Sequence, residues 1–192
     1  MHIKDGGIFM SELNFDQKKT LAAFECFFGS RYNTNTGKKD NTSMHIETQK
    51  MCYLLKMAGI EIGDFDYSWN FRGPFSPGLL VLLRSIDRKA TEVTEFYENS
   101  EEKEKLLDGL KTKIYELQKN LEIDKHLDQK EQWVEVLGSL TYISRTVLPG
   151  SDFEEVNKRL IQEKAEYCNM DLNKQAWNLL KEMKLLEIAS SN

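Results

Sequence analysis

The stretch Asn70-Phe-Arg-Gly-Pro-Phe-Ser-Pro-Gly-Leu-Leu-Val-Leu-Leu-Arg-Ser-Ile86 governs how the rest of the chain is read. Its middle, Arg72 to Gly78, packs two prolines and two glycines into seven residues. Proline fixes φ and glycine permits positive φ, so this is a defined turn rather than a loose loop. Ser76 stands where a helix N-cap accepts an amide proton, and Pro77 where the first helical residue has no amide to satisfy. Behind them Leu79, Leu80, Leu82, Leu83 and Ile86 make a helix apolar almost all round, which predicts a central place in the core.

Upstream, Phe65, Tyr67, Trp69 and Phe71 alternate with polar residues, the period of a strand with one buried face. A short strand or hairpin is expected near 65–71. Before it, Ile46, Met51, Leu54, Leu55 and Ala58 form a helical stripe closed by Gly59. The segment Ser30 to Thr42 holds almost nothing apolar and reads as loop. Leu21, Phe24, Phe27 and Phe28 recur at helical spacing ahead of Gly29, predicting a first helix from Phe15.

Downstream, Ala90 to Glu102 is polar, and any internal boundary falls near 90–102. Two amphipathic runs follow, Leu106 to Leu121 and Trp133 to Val147, the second ending before Pro149-Gly150. Ser151-Asp-Phe-Glu154 reads as a capping box opening a helix to about Tyr167, and Asp171 as the cap of a last one. The fold expected is mainly α, a single helical domain over 15–192 of six or seven helices with a minor strand or hairpin. Residues 1–14 are read as a disordered or non-native extension. Lys4-Asp-Gly-Gly7 can be encoded by a purine-rich ribosome-binding sequence, which points to translation from Met10 in a bacterium or phage.

The chain is 40% hydrophobic and 30% charged with three prolines, a composition that folds. Its net charge of -5 is not the footprint of a general nucleic-acid binder. Local basic groups, Lys38 with Lys39 and Arg84 with Arg88, leave that alternative open. Cys26, Cys52 and Cys168 are widely spaced among apolar neighbours and read as reduced core residues of a cytoplasmic protein. No stretch approaches the roughly 20 apolar residues of a membrane span.

Chemical motifs are sparse. His2, His45 and His126 lie far apart, so no metal site is expected. A phosphate-binding loop, a dinucleotide fingerprint and a Gly-x-Ser-x-Gly elbow are all missing, and neither a cofactor nor an enzymatic activity is expected. The carboxylates alternate with lysines along polar helix faces and read as solvated surface. A hydrolase with a hidden site is the weakest of the alternatives.

The segment that is specific combines Lys50, Tyr53 and Leu54 on the second helix with Gly73, Pro74, Phe75 and Ser76. It resembles the YwgA-like and Panacea group of bacterial and phage proteins, which includes the SocA-type antitoxins. There a Lys-x-x-Tyr-Leu helix leads through an aromatic strand to a Gly-Pro-aromatic-Ser turn that opens the next helix. The resemblance covers roughly Ile46 to Leu83; after Ile86 the long helices depart from the family pattern. It implies a non-enzymatic protein-interaction module, partnered by a toxin-like protein or host factor, and the alternative is a nucleic-acid-binding module of a mobile element using Lys38, Lys39, Arg84 and Arg88.

The turn itself has two readings. In one, Gly73 and Pro74 bend the chain, Phe75 fills the core and Ser76 caps the helix. In the other, Tyr53, Asn70, Arg72, Gly73, Pro74, Phe75 and Ser76 form a partner-binding surface, with Arg72 and helix-start amides facing an anion or a partner's carboxylate.

Overall fold

The computed structural model describes residues 12–34, 42–167 and 169–187. Met10, Lys38, Lys39 and Cys168 lie outside the described residues. The described chain is mainly α with one small antiparallel hairpin, as the periodicity predicts. Its helices are α1 (Phe15–Phe28), α2 (Thr42–Met57), α3 (Pro77–Asp87), α4 (Ala90–Glu98), α5 (Ser100–Leu106), α6 (Lys111–Asn120), α7 (Lys130–Tyr142), α8 (Phe153–Glu163) and α9 (Met170–Glu182). The hairpin pairs β1 (Ser68–Asn70) with β2 (Gly73–Phe75).

Nine α-helices stand among the described residues where six or seven were expected, because local caps divide the middle of the chain. Asn99 accepts the Glu102 amide and separates α5 from α4. Gly109, at φ 72°, breaks the Leu106 to Leu121 run before α6. The polar 90–102 stretch is thus helical, and it anchors itself through Val93, Phe96 and Tyr97, which join the same buried cluster as Phe24, Leu83 and Trp133.

Other boundaries follow the caps. Asn14 and Gln17 form a reciprocal capping box at α1. Asp152, rather than Ser151, caps α8, and Asn169, rather than Asp171, caps α9. Helix α8 ends at Glu163, short of Tyr167, and Lys164 leaves it at φ -147° to turn inward.

The centre of the fold also moves. On α3 only Leu79, Leu83 and Ile86 are buried, and Val81 faces solvent. The all-round buried helix is α7, every residue of which from Trp133 to Tyr142 is inside. It packs on α2 along one side and α9 along another, with the hairpin over a third. Small residues at Gly138 and Ser139 let that hairpin approach closely.

Candidate functional site

The turn is built on α2. Gln49 clasps Ser76 with both ends of its amide, accepting from the Ser76 N–H at 2.8 Å and donating to the Ser76 carbonyl at 2.9 Å. One helical step on, Lys50 Nζ donates to the Pro74 carbonyl at 2.8 Å. Ser76 in turn caps α3 by accepting from the Leu79 amide at 3.3 Å. These bonds tie the backbone of β2 to α2 and begin α3 at a fixed angle. Register follows: Trp69 stands opposite Pro74 and Asn70 opposite Gly73, so Phe71 and Arg72 form the tip.

Beneath the hairpin lies a buried polar cluster that sequence patterning does not foreshadow. Glu135 and Ser139 come from successive turns of α7, Lys50 from α2 and Lys164 from the end of α8. Lys164 Nζ meets Glu135 Oε1 at 2.5 Å with both side chains buried. Gly73, at φ 85°, runs directly over them. A Cβ there would stand 2.5 Å from Ser139 Oγ, 3.5 Å from Lys164 Nζ and 3.6 Å from Lys50 Cε. An aromatic row closes the other side, running from Tyr67 through Tyr53 and Tyr142 to Trp69 at centroid separations of 5.1–5.9 Å. Lys164 Nζ lies 5.8 Å above the Trp69 ring.

Two ammonium groups thus share one carboxylate away from water. Burial lowers Lys50 to a pKa of about 7, an effect that Glu135 opposes and that Lys164 and Arg72 reinforce. Burial also lowers Lys164, against the pull of Glu135. Because the folded Lys50 sits below its unfolded pKa, the unfolded chain binds more protons between pH 7 and 10.5, and stability rises with pH across that window. Lys50→Met is expected to remove a slope of up to about 1.4 kcal/mol per pH unit. Denaturant titrations from about pH 7 to 8.5 check this, below the range where the tyrosines and Cys52, raised by burial, act oppositely.

The partner-binding residues expected from sequence separate by depth. Tyr53, Gly73, Pro74 and Ser76 are buried, and Phe75 is half-buried. Asn70 and Arg72 are exposed, joined at the tip by Phe71, whose ring is 75% exposed. Arg72 reaches Glu131 at 3.7 Å, on α7. It lines a shallow cleft with Glu47, Leu127, Glu131, Glu135 and Glu166. Of the basic residues proposed for nucleic acid, Arg84 on α3 and Arg88 at its C-cap are exposed one turn apart. Gln49, Glu135, Ser139 and Lys164 escaped the sequence reading; Glu135, inside the apolar run Trp133 to Leu137, carried the one visible signal.

Among the described residues there is no group of side chains able to hold a metal ion, and no helix long and apolar enough to cross a membrane. Comparison with protein-family models, curated proteins and solved structures returned no match.

Proposed function

We propose that this chain is a non-enzymatic protein-interaction module of bacterial or phage origin, working in the manner of the Panacea-type antitoxins and accessory proteins that its Lys50 to Ser76 segment resembles. The surface that meets the partner is the hairpin tip, Asn70-Phe71-Arg72, with Leu127 across the cleft. One observation carries the reading. Phe71 is 75% exposed on a turn whose neighbours Gly73 and Pro74 are buried, Pro74 being bonded to Lys50 of α2. An aromatic ring and an arginine presented on a braced turn lose little freedom on binding, and these residue types dominate the energetic centres of interfaces. Leu127, 61% exposed, adds a second apolar contact. Tyr53, Pro74 and Ser76 then serve the surface from below by holding its shape.

The test is affinity capture from cells that encode the chain, with quantitative mass spectrometry of what is retained. Phe71→Ala and Arg72→Ala are each expected to reduce the retained partner at least several-fold while leaving the melting temperature nearly unchanged, since both side chains are exposed. Undiminished capture by both variants removes the hairpin tip from the interface. Retention of nucleic acid instead of protein, lost as salt rises, would favour the nucleic-acid reading centred on Arg84 and Arg88.

A further inference from the structure

The cluster under the hairpin is unfinished in a way that the docking surface does not use. Lys50 is 2% exposed, and among the described residues its ammonium makes one hydrogen bond, to the neutral Pro74 carbonyl. An ammonium carries three donors, and a buried one with donors unmade is costly. Ser139 is wholly buried, and its hydroxyl has no hydrogen-bond partner among the described residues. Both groups converge on the space that Gly73 occupies, and Lys164 reaches the same point. Two buried lysines, Lys50 and Lys164, therefore stand with the one carboxylate of Glu135 among the described buried side chains, together with a hydroxyl that has a proton to give.

We propose that Lys50 and Ser139, with Lys164 beside them, form an oxyanion site covered by the β1–β2 hairpin, which takes one carboxylate or phosphate group when the hairpin lifts. One oxyanion accepts the spare Lys50 protons and the Ser139 proton together and balances the excess positive charge. Charge-assisted bonds of this kind are about twice as strong as neutral ones. The cover is suited to opening. It consists of two three-residue strands, which pair only with each other and add little of their own to the hold of the α2 bonds. The cost of lifting it lies in the Lys50–Pro74 bond, which the anion replaces, in the contacts of Trp69 with Tyr142 and Lys164, in the Arg72–Glu131 pair and in the packing of Pro74 on Gly138. The Gln49 clasp on Ser76 stays as the hinge. This inference stands without the docking reading, because it concerns the underside of the hairpin and a small ligand.

The experiment titrates the full chain at neutral pH and constant ionic strength with inorganic phosphate and, separately, with acetate, chloride being the balancing anion. Two readouts are followed, the melting temperature and the indole N–H resonance of Trp69. Trp133, whose indole donates to the Leu121 carbonyl, and Trp177 act as internal controls. Expected are a saturable rise in melting temperature and a saturable shift of Trp69 alone. Half-saturation should weaken about tenfold or more in Ser139→Ala and Lys50→Met, as loss of charge-assisted bonds requires. Saturation by acetate alone assigns the site to a carboxylate, and saturation by both anions to either oxyanion. A response equal in wild type and Ser139→Ala, or no Trp69 shift with either anion, overturns the proposal. Ser139→Ala keeps the test sharp should Lys50→Met fold poorly, since it removes one oxygen from a packed position.

Discussion

Glu135→Gln is expected to destabilise the fold by about 3–5 kcal/mol at neutral pH, the loss typical of removing one partner from a buried charge group. Glu135 is the carboxylate that Lys164 meets at 2.5 Å, and it also holds up the pKa of Lys50. Glutamine keeps the shape and deletes the charge, leaving two buried ammoniums facing each other under the hairpin. Glu101→Gln is the control, because its ion pair with Lys105 lies almost entirely in solvent and should matter little. The part of the Glu135→Gln loss that comes from Lys50 should shrink as pH rises through about 7, where Lys50 sheds its proton, and burial lowers Lys164 in the same direction. Adding Lys164→Met should restore part of the stability, as an apolar side chain of similar length replaces the orphaned ammonium. Chemical denaturation of the three variants measures all of this. A Glu135→Gln cost no larger than that of Glu101→Gln would mean that the cluster is solvated.

What the sequence makes legible follows from how local each signal is. Ser76 and Pro77 announce the start of α3 because capping depends on residues three apart, and the capping bond to Leu79 is in place. The alternation Phe65, Tyr67, Trp69 marks the face that turns inward, since the burial of a strand repeats every two residues. It stops being informative at Phe71, which continues the pattern but falls in the turn and is exposed. The apolar count of α3 misled, because Val81 faces outward and Leu80 and Leu82 are only half-buried, whereas α7, carrying Glu135, Ser139 and Thr141, is enclosed from Trp133 onward. Polar residues on a central helix look like a solvated face until their partners are known. Those partners come from other segments: Lys50 lies 85 positions before Glu135, and Lys164 lies 29 after it. Lys50 itself stood out only as part of the family-like motif, and the physical content of that motif is the bond it makes to Pro74 across the hairpin.

Gly73→Ala should cost about 2–4 kcal/mol, more than Gly59→Ala at about 1–2 kcal/mol, and the difference isolates one contact. Both glycines hold positive φ, 85° and 74°, so both substitutions bear the strain of an L-residue in left-handed backbone. At Gly59, just past α2, a new Cβ meets nothing within 4 Å. At Gly73 it meets Ser139 Oγ at 2.5 Å, well inside van der Waals contact and against the fully buried α7. Either the hairpin lifts or α7 shifts. Since α7 is packed on all sides and the hairpin rests on a few bonds, the hairpin should yield, moving the Trp69 resonance with it. The double variant Gly73→Ala with Ser139→Ala removes the colliding oxygen and leaves the backbone strain. Its stability should return to the level of Gly59→Ala, and its Trp69 resonance toward that of the wild type. Equal losses for the two single glycine variants would show that the chain at Gly73 stands farther from Ser139 than 2.5 Å implies, and that the hairpin is not seated on the cluster.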